Sequence, residues 1–245
     1  VKMIMCYAHR GFSDIYPENT MLAFEKAIET GCQGIELDVQ MSQDGTLFIM
    51  HDESVNRTTS ASGFVKDLRR EQLLALVSNS TPASATDRPQ AIPTLAQYFE
   101  RVSQLPLITN IELKNSSWYY PGLETAVIRM VRDYGLADRV LLSSFNHASM
   151  VLCHELDPDI KTALLLGSQV IGNVGQYALA MHCSYVHPYY RTVTPGLLRS
   201  CHEVGVKVNA WTVNGRKTLA EQLELGVDGV ITNRPRLALS LIRKA

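Results

Sequence analysis

The amino-acid sequence predicts an α/β protein folded as a (β/α)₈ TIM barrel. Short apolar runs that end in polar residues recur along the chain, helical patterns lie between most of them, and 245 residues suit one large domain. Continuously apolar runs are typical of strands buried on both faces, and their alternation with helices predicts a parallel sheet. The strand-like runs cover residues 4–10, 34–39, 46–52, 107–114, 140–145, 161–166, 184–189, 206–212 and 229–233.

The helices of this barrel are predicted from their caps and their apolar stripes. A helix over roughly 21–30 can be capped by Asn19 or Thr20 and stopped by Gly31, and Thr94 and Thr194 occupy similar starts. Two stripes with the spacing i, i+3, i+4 and i+7 predict amphipathic helices: Leu95, Tyr98, Phe99 and Val102, then Leu123, Ala126, Val127 and Met130.

The second and third strand-like runs cannot both be ordinary barrel strands. Nine runs must share eight places, and only residues 42–45 separate these two, which is too short for a crossover helix. We therefore expect a hairpin that folds His51 back beside Glu36 and Asp38.

The segment 53–92 is long for a loop in a compact domain. It contains a helical pattern over 67–78, followed by a polar, proline-containing stretch over 79–90. Insertions of this length usually carry function or form a small cap. We expect one domain over 1–245, with 53–92 as a lid over the active-site end.

Composition indicates a small-molecule partner. The formal net charge of −1 arises from 23 basic and 24 acidic residues without a basic cluster, so neither nucleic acid nor stable membrane association is expected. The five cysteines are scattered, the N-terminal apolar run is too short for a signal peptide, and no run approaches about 18 apolar residues. We expect a cytoplasmic monomer or homodimer.

Polar residues close most of the predicted strands. In a barrel of this class the carboxyl ends of all strands open onto one face, so these residues converge in space. They are His9, Arg10, Glu36, Asp38, His51, Asp52, Glu112, Lys114, Ser143, Ser144, His187, Trp211 and Asn233.

Three of these residues are candidate metal ligands. Glu36 and Asp38 are two residues apart, so they point to the same side of a strand, and Glu112 closes a strand beyond the insertion. Three carboxylates around one centre repel one another unless a hard divalent cation, Mg²⁺ or Ca²⁺, lies between them. The alternative is a structural network in which they pair with Arg10 and Lys114.

The histidines at two strand ends are candidates for proton transfer. Neutral imidazoles at His9 and His51 can act as general base and general acid. The other histidines, His147, His154, His182 and His202, are expected in helices without a catalytic role, and His187 is left open.

The cationic and aromatic strand-end residues suggest what binds beside them. Arg10 and Lys114 provide fixed positive charge suited to a phosphate, unless they serve only as partners of the carboxylates. Trp211 is either an apolar wall for a substrate or part of the barrel core.

Several stretches together resemble the glycerophosphodiester phosphodiesterase family over nearly the full length. They are AHRGFSDIYPENT (8–20), GIELDVQMSQDGTLFIMHDESVNRTT (34–59), IPTLAQYF (92–99), IELK (111–114), AWTVN (210–214) and GVDGVITNRP (226–235). The resemblance implies a TIM barrel with a small insertion after the HD motif, and hydrolysis of glycerophosphodiesters such as glycerophosphocholine to glycerol 3-phosphate and an alcohol.

The resemblance also implies roles for individual residues. His9 and His51 correspond to the acid–base pair. Glu36, Asp38 and Glu112 correspond to the ligands of one divalent cation. Arg10 and Lys114 correspond to the residues that hold the phosphate, and Glu18 of the PENT motif to a supporting residue.

Two other functions are compatible with this barrel. A phospholipase D-like enzyme acting on lipids shares a related site, although the sequence gives no plausible disulfide pair and we expect no exposed apolar loop. A binding barrel without catalysis is the second, although none of the expected catalytic residues is missing. The preferred alcohol, the physiological metal and the attacking group, glycerol 2-hydroxyl or water, stay open at this stage.

Overall fold

Eight parallel strands close into a barrel in the computed structural model, which describes residues 4–78, 89–169 and 171–244. The barrel strands are β1 (Met5–His9), β2 (Gly34–Met41), β6 (Ile108–Leu113), β7 (Val140–Ser144), β8 (Lys161–Leu166), β9 (Tyr185–Pro188), β10 (Lys207–Ala210) and β11 (Gly229–Thr232). Closure comes from β1, which pairs in parallel with β11 on one side and with β2 on the other. The predicted (β/α)₈ barrel is confirmed.

Within the described residues, eight helices surround the barrel, one after each barrel strand; the helix that follows β2 comes after the inserted segment. They are α1 (Met21–Thr30), α3 (Leu95–Val102), α4 (Leu123–Asp133), α5 (His147–Leu156), α6 (Val174–Ala180), α7 (Pro195–His202), α8 (Arg216–Leu225) and α9 (Pro235–Ile242). The predicted caps are confirmed. Thr20 Oγ1 accepts a 3.2 Å hydrogen bond from the amide of Ala23, Gly31 ends α1 with φ +76°, and Thr94 and Thr194 cap α3 and α7.

Residues on the barrel strands alternate between two environments. On β1 and β2, residues such as Ala8 and Leu37 point outward into the main apolar core between the sheet and the helices. Because successive side chains of a strand point to opposite faces, their neighbours His9, Glu36 and Asp38 point toward the barrel axis, and Glu36 and Asp38 meet Glu112 there. The strand ends therefore deliver polar groups to one central point.

The hairpin predicted between the second and third runs is confirmed. Strand β3 (Leu47–Ile49) pairs antiparallel with β2, with Val39 opposite Ile49 and Met41 opposite Leu47. Gly45 has φ +81°, a left-handed conformation that glycine adopts without strain, and its amide closes the turn on the carbonyl of Ser42 at 3.0 Å. Strand β3 lies beside the barrel and, among the described strands, pairs only with β2, so the other eight strand-like runs provide the eight barrel strands.

The segment after β3 folds onto the hairpin. It contains a 3₁₀ turn (Val65–Asp67), helix α2 (Arg70–Leu74) and a two-stranded sheet of β4 (Val77–Ser78) and β5 (Gln90–Ala91). A second apolar cluster fixes it to the hairpin: Phe48, Met50, Val55, Val65, Leu73 and Ile92.

The helix predicted over 67–78 is wrong in its length. Helix α2 covers only Arg70–Leu74, because Val77 and Ser78 pair with Ala91 and Gln90 instead of continuing the helix. Most of the polar stretch predicted over 79–90 lies outside the described residues. In the part of the chain that the structure describes, no helix is long and apolar enough to cross a membrane.

Candidate active site

Three buried carboxylates form a cluster at the carboxyl end of the barrel. Asp38 on β2 is paired in register with Glu112 on β6, and Glu36 lies two residues before Asp38. One oxygen of each residue lies within 4.8 Å of the others. Sequence spacing predicted this convergence, because Glu36 and Asp38 share a face of β2 and Glu112 closes the neighbouring strand.

The protonation of this cluster reflects its crowding. Burial, together with the charges of Asp38 and Glu112, raises the pKa of Glu36 well above its usual range. Burial and Asp38 also raise the pKa of Glu112. Burial alone would raise the pKa of Asp38, but Arg10 and Lys114 instead hold it well below its usual range. Among these groups, Asp38 is the carboxylate best able to stay charged without a cation.

The donor set fits a hard divalent cation. All three side chains offer oxygen, which Mg²⁺ and Ca²⁺ prefer. Asp38 Oδ1 is buried and accepts no hydrogen bond from the described residues. A cation between the three carboxylates would give this oxygen a partner and relieve the repulsion that raises the pKa of Glu36.

Arg10 and Lys114 lie against the carboxylates. Arg10 Nε is 3.2 Å from Asp38 Oδ2, and Lys114 Nζ donates to Glu112 Oε1 at 2.7 Å while lying 3.8 Å from Asp38 Oδ1. The ion pairs expected of a structural network are therefore present. Asn19, which the sequence suggested only as a helix cap, donates to Asp38 Oδ2 at 2.8 Å.

A sharp turn after β1 places Arg10. Arg10 and Gly11 both have left-handed backbones, with φ +56° and +82°. A Cβ atom on Gly11 would lie 2.7 Å from the carbonyl carbon of Ala23, so this turn also packs against the start of α1. Glycine is required here for its conformation and for the close approach.

His9 presents one ring nitrogen to the site. Its Nδ1 donates to Asn233 Oδ1 at 2.6 Å, and its Nε2 lies 3.9 Å from Glu36 Oε2. Burial and then the charge of Arg10 lower the pKa of His9 to about 3. The imidazole is therefore neutral, with an unprotonated Nε2 toward the carboxylates.

His51 is held by a charged partner instead. Asp52 Oδ1 lies 2.6 Å from His51 Nδ1, and because a carboxylate only accepts, Nδ1 carries the proton. Two hydrogen bonds to β2 fix the backbone around His51. The amide of Met50 donates to the carbonyl of Asp38 at 3.0 Å, and Gln40 Nε2 donates to the carbonyl of His51 at 3.1 Å. His51 thus returns to the carboxylate strand as expected.

An arginine from the segment after β3 joins these groups, and sequence reasoning missed it. Arg57 binds both Asp52 and Glu18, and Glu18 Oε1 accepts a 2.9 Å hydrogen bond from Arg10 Nη1. Glu18, the predicted supporting residue, is therefore a direct partner of Arg10. The only sequence signal for Arg57 is its place in the family-like stretch 34–59, which ends NRTT.

A cavity of about 170 Å³ opens over the carboxylates. Its polar side includes both histidines and two buried residues, Asn110 and Ser143, whose side-chain oxygens accept no hydrogen bond from the described residues. Its apolar side is formed by Phe145, Leu165, Trp211 and Ile231. Trp211 lines the cavity as one alternative predicted, whereas Phe145, which closes the run 140–145, was not singled out.

Trp211 is fixed within an aromatic group. Its Nε1 donates to the carbonyl of His187 at 2.7 Å, and its ring meets Phe145 edge to face at a centroid distance of 5.7 Å. The ring of Tyr189 also packs against it, at a centroid distance of 5.8 Å.

His187 and Ser144 are not among the residues that line this cavity. His187 is fully buried in β9, where Asn209 Nδ2 donates to its Nε2 at 3.1 Å and burial lowers its pKa to about 3. Ser144 Oγ donates to the carbonyl of Leu113.

The remaining histidines are largely where the sequence predicted. His147, His154 and His202 lie in helices as expected. His182 does not: it follows α6 in a left-handed turn with φ +56°.

The expectation of no exposed apolar loop is wrong. Trp118 and Tyr119, in the connection after β6, are 37% and 80% exposed, and Phe64 from the insertion packs against Trp118 at 5.5 Å between ring centroids. Lys66 lies 4.8 Å from the centroid of Trp118.

Comparison with known proteins gives one consistent result. A profile of the glycerophosphoryl diester phosphodiesterase family matches residues 9–237. The chain is 38% identical over 237 residues to a glycerophosphodiester phosphodiesterase of Caldanaerobacter subterraneus, covering 97% of each chain. It is 40% identical over 242 residues to one of Bacillus altitudinis, covering 98% of each.

Solved structures agree with this match. An Oleispira antarctica phosphodiesterase in complex with the product sn-glycerol-3-phosphate superposes with a TM-score of 0.83 at 26% identity, over 98% of this chain and 97% of that one. A structure of a Silicibacter pomeroyi protein at 22% identity, with a TM-score of 0.91 over 99% and 94% of the two chains, shares the fold.

Proposed function

The chain belongs to the glycerophosphoryl diester phosphodiesterase family, and we propose that it hydrolyses glycerophosphodiesters to sn-glycerol 3-phosphate and an alcohol. Glycerophosphocholine and glycerophosphoethanolamine are the substrates we expect. The observation that carries this proposal is the cluster of Glu36, Asp38 and Glu112, with ligand oxygens within 4.8 Å, beside two histidines whose Nδ1 atoms are both occupied. The product complex of the Oleispira antarctica relative supports the choice of substrate.

The proposed reaction is metal-dependent. Glu36, Asp38 and Glu112 would hold one Mg²⁺ or Ca²⁺, which when bound supplies positive charge beside the phosphoryl oxygens. Arg10 and Lys114, which both lie beside Asp38, add fixed positive charge. This charge would stabilise the negative charge that accumulates on the phosphate in the transition state.

The two histidines divide the proton transfers. His9 is neutral and is held by the uncharged amide of Asn233. Its Nε2 accepts the proton of the attacking hydroxyl. His51, whose Nδ1–H is held by the carboxylate of Asp52, donates a proton from Nε2 to the alcohol oxygen as its bond to phosphorus breaks.

Two attacking groups fit this scheme. If the glycerol 2-hydroxyl attacks, a cyclic phosphate forms, and water then opens it with the proton transfers reversed. If water attacks, the product forms directly. Rapid-quench samples that contain no cyclic glycerophosphate at any time would rule out the first route.

The cavity wall provides a surface for the carbon skeleton of the substrate. Phe145, Leu165 and Trp211 form an apolar part of the cavity that Glu36 and Glu112 also line. Segment 53–92 is proposed as a cap beside this opening, since its Arg57 contacts the residues that support both His51 and Arg10.

The test is release of glycerol 3-phosphate from a panel of glycerophosphodiesters by wild type and Glu36→Ala, with EDTA or with each of Mg²⁺, Ca²⁺ and Mn²⁺. We expect activity that requires a cation and is lost in the variant. Activity that persists in EDTA and in Glu36→Ala would contradict the metal assignment, and inactivity on the whole panel would favour a binding barrel.

One observation favours a second activity. Trp118 and Tyr119 expose their rings, and Lys66 lies beside Trp118. Residues of these types are common at lipid interfaces, so the alternative is a phospholipase D-like action on lipids. Headgroup release from liposomes faster than from glycerophosphocholine would favour it.

The cellular location is proposed from the thiols. We propose a cytoplasmic protein, supported by five free cysteines that are all buried, as a reducing compartment would allow.

A further inference from the structure

Arg57 lies between the supports of two active-site residues. Its Nε and Nη2 donate to Asp52 at 2.6 and 3.0 Å, and its Nη1 and Nη2 donate to Glu18 at 3.0 and 2.8 Å. One guanidinium therefore makes a two-point contact with each carboxylate.

Each of these carboxylates holds a different active-site side chain. Asp52 Oδ1 lies 2.6 Å from His51 Nδ1, and Glu18 Oε1 accepts from Arg10 Nη1 at 2.9 Å. A continuous path of charged contacts thus runs from His51 through Arg57 to Arg10. It begins at the proposed proton donor and ends beside the carboxylate cluster, where Arg10 lies 3.2 Å from Asp38.

The geometry of arginine suits this position. A guanidinium is planar and can present two parallel N–H pairs to two carboxylates at once, whereas an ammonium is a single point of charge. Burial would raise the pKa values of Asp52 and Glu18, but hydrogen bonds from Arg57 contribute to lowering both, that of Asp52 to about 2. Asp52 thus remains an acceptor for His51 Nδ1–H.

We propose that Arg57 is a positioning residue. It orients the imidazole of His51 through Asp52 and the guanidinium of Arg10 through Glu18. The inference rests on the proposed phosphodiesterase function. Arg57 does not touch the reacting atoms. The insertion then contributes to catalysis, because its Arg57 aligns Arg10, which follows β1, with His51, which follows the hairpin.

The competing explanation is that Arg57 only fastens the insertion to the barrel. Arg132 is a matched control for this alternative. Its side chain is also 46% exposed and also binds two carboxylates, Asp157 and Asp159, which precede β8 at the opposite end of the barrel. Arg132→Gln removes a similar surface network without contact to the active site.

The experiment compares wild type, Arg57→Gln, Arg57→Lys and Arg132→Gln for glycerophosphocholine hydrolysis with saturating Mg²⁺, with the melting temperature of each. We expect Arg57→Gln to lower kcat/KM by about 10- to 100-fold, mainly through kcat, as removal of a residue supporting a catalytic group commonly does. Arg57→Lys should retain part of the rate, and Arg132→Gln should stay within about twofold of wild type.

Chemical rescue separates positioning from fastening. Arg57→Ala leaves a solvent-accessible gap between Asp52 and Glu18, so millimolar methylguanidinium should raise its kcat severalfold, whereas NaCl at equal concentration should not. Rescue of kcat without a matching rise in melting temperature is the signature of positioning.

Two results would overturn the inference. One is an Arg57→Gln enzyme with kcat/KM within about twofold of wild type. The other is a loss in Arg57→Ala that methylguanidinium does not reverse. A wild type inactive on every glycerophosphodiester would instead remove the proposed function, and this inference with it.

Discussion

The backbone amide of Arg10 donates a 3.0 Å hydrogen bond to Oε2 of Glu36, which ties the turn after β1 to the carboxylate strand β2. The carbonyl of Glu36 accepts from the same amide at 2.8 Å. Because this amide lies in a left-handed turn, the position of a proposed metal ligand depends on the backbone conformation at residues 10–11.

Substitution of Gly11 should therefore damage both stability and activity. Gly11→Ala would adopt φ +82° with a Cβ 2.7 Å from the backbone of Ala23, so we expect a loss of about 2 kcal/mol or more in the free energy of unfolding. Urea denaturation measures it. Gly167→Ala is the control, since its Cβ would meet nothing within 4 Å, and equal losses in both variants would contradict the role of the turn.

Cation binding should stabilise the wild type and not Glu36→Gln. A ligand that binds only the folded state raises the free energy of unfolding by about 2.7 kcal/mol at 100 times its Kd, so millimolar Mg²⁺ or Ca²⁺ should raise the melting temperature of wild type. Removing one carboxylate should abolish most of this rise. Glu29→Gln, at an exposed position paired with Lys26, serves as control, and an equal rise in all three proteins would contradict the metal site.

Without a cation, Glu36 should make stability depend on pH. Its pKa is raised in the folded state, so above about pH 4.5 the unfolded chain loses a proton that the folded chain retains. Stability then falls as pH rises, by up to about 1.4 kcal/mol per pH unit.

The matching measurement is urea unfolding in EDTA at pH 5 and pH 8. Glu36→Gln cannot ionise, so it should gain stability relative to wild type on going from pH 5 to pH 8. A difference between the two proteins that does not change with pH would contradict the raised pKa.

The role of His51 can be tested with the leaving group. His51→Ala should lower kcat on glycerophosphocholine by about 10²- to 10⁴-fold, because choline alkoxide needs a proton to depart. The loss should be much smaller on a glycerophosphodiester of 4-nitrophenol, which leaves as a stable anion. His154→Ala, a change in α5 away from the cavity, is the control. Equal losses of kcat on both substrates would indicate that His51 instead removes the proton of the attacking hydroxyl.

The parts of this site that sequence predicted follow from local rules. Glu36 and Asp38 share a face because strand side chains alternate, and the short spacing over 42–45 requires a hairpin that brings back His51. These relations depend on neighbours in sequence, or on the general rule that barrel strands open onto one face.

The parts that sequence missed depend on pairings across long separations. Helix α2 is shorter than its pattern predicted, because β4 pairs with β5 on the far side of the insertion. Arg57 lies 39 residues from Glu18, and no spacing rule relates a residue in an insertion to one in the first loop. His182 leaves its helix because the chain must turn into β9.

The hairpin of β2 and β3 determines where His51, the proposed proton donor, is placed. Glu36 is fixed by pairing with both β1 and β6, and Asp38 by pairing with β6, whereas His51 is reached through the turn over 42–46. One added residue in that turn would advance His51 by about 3.3 Å or reverse the face of its strand, while the carboxylates stayed in place. Turn length therefore sets the distance between the proposed proton donor and the proposed cation site, independently of the barrel itself.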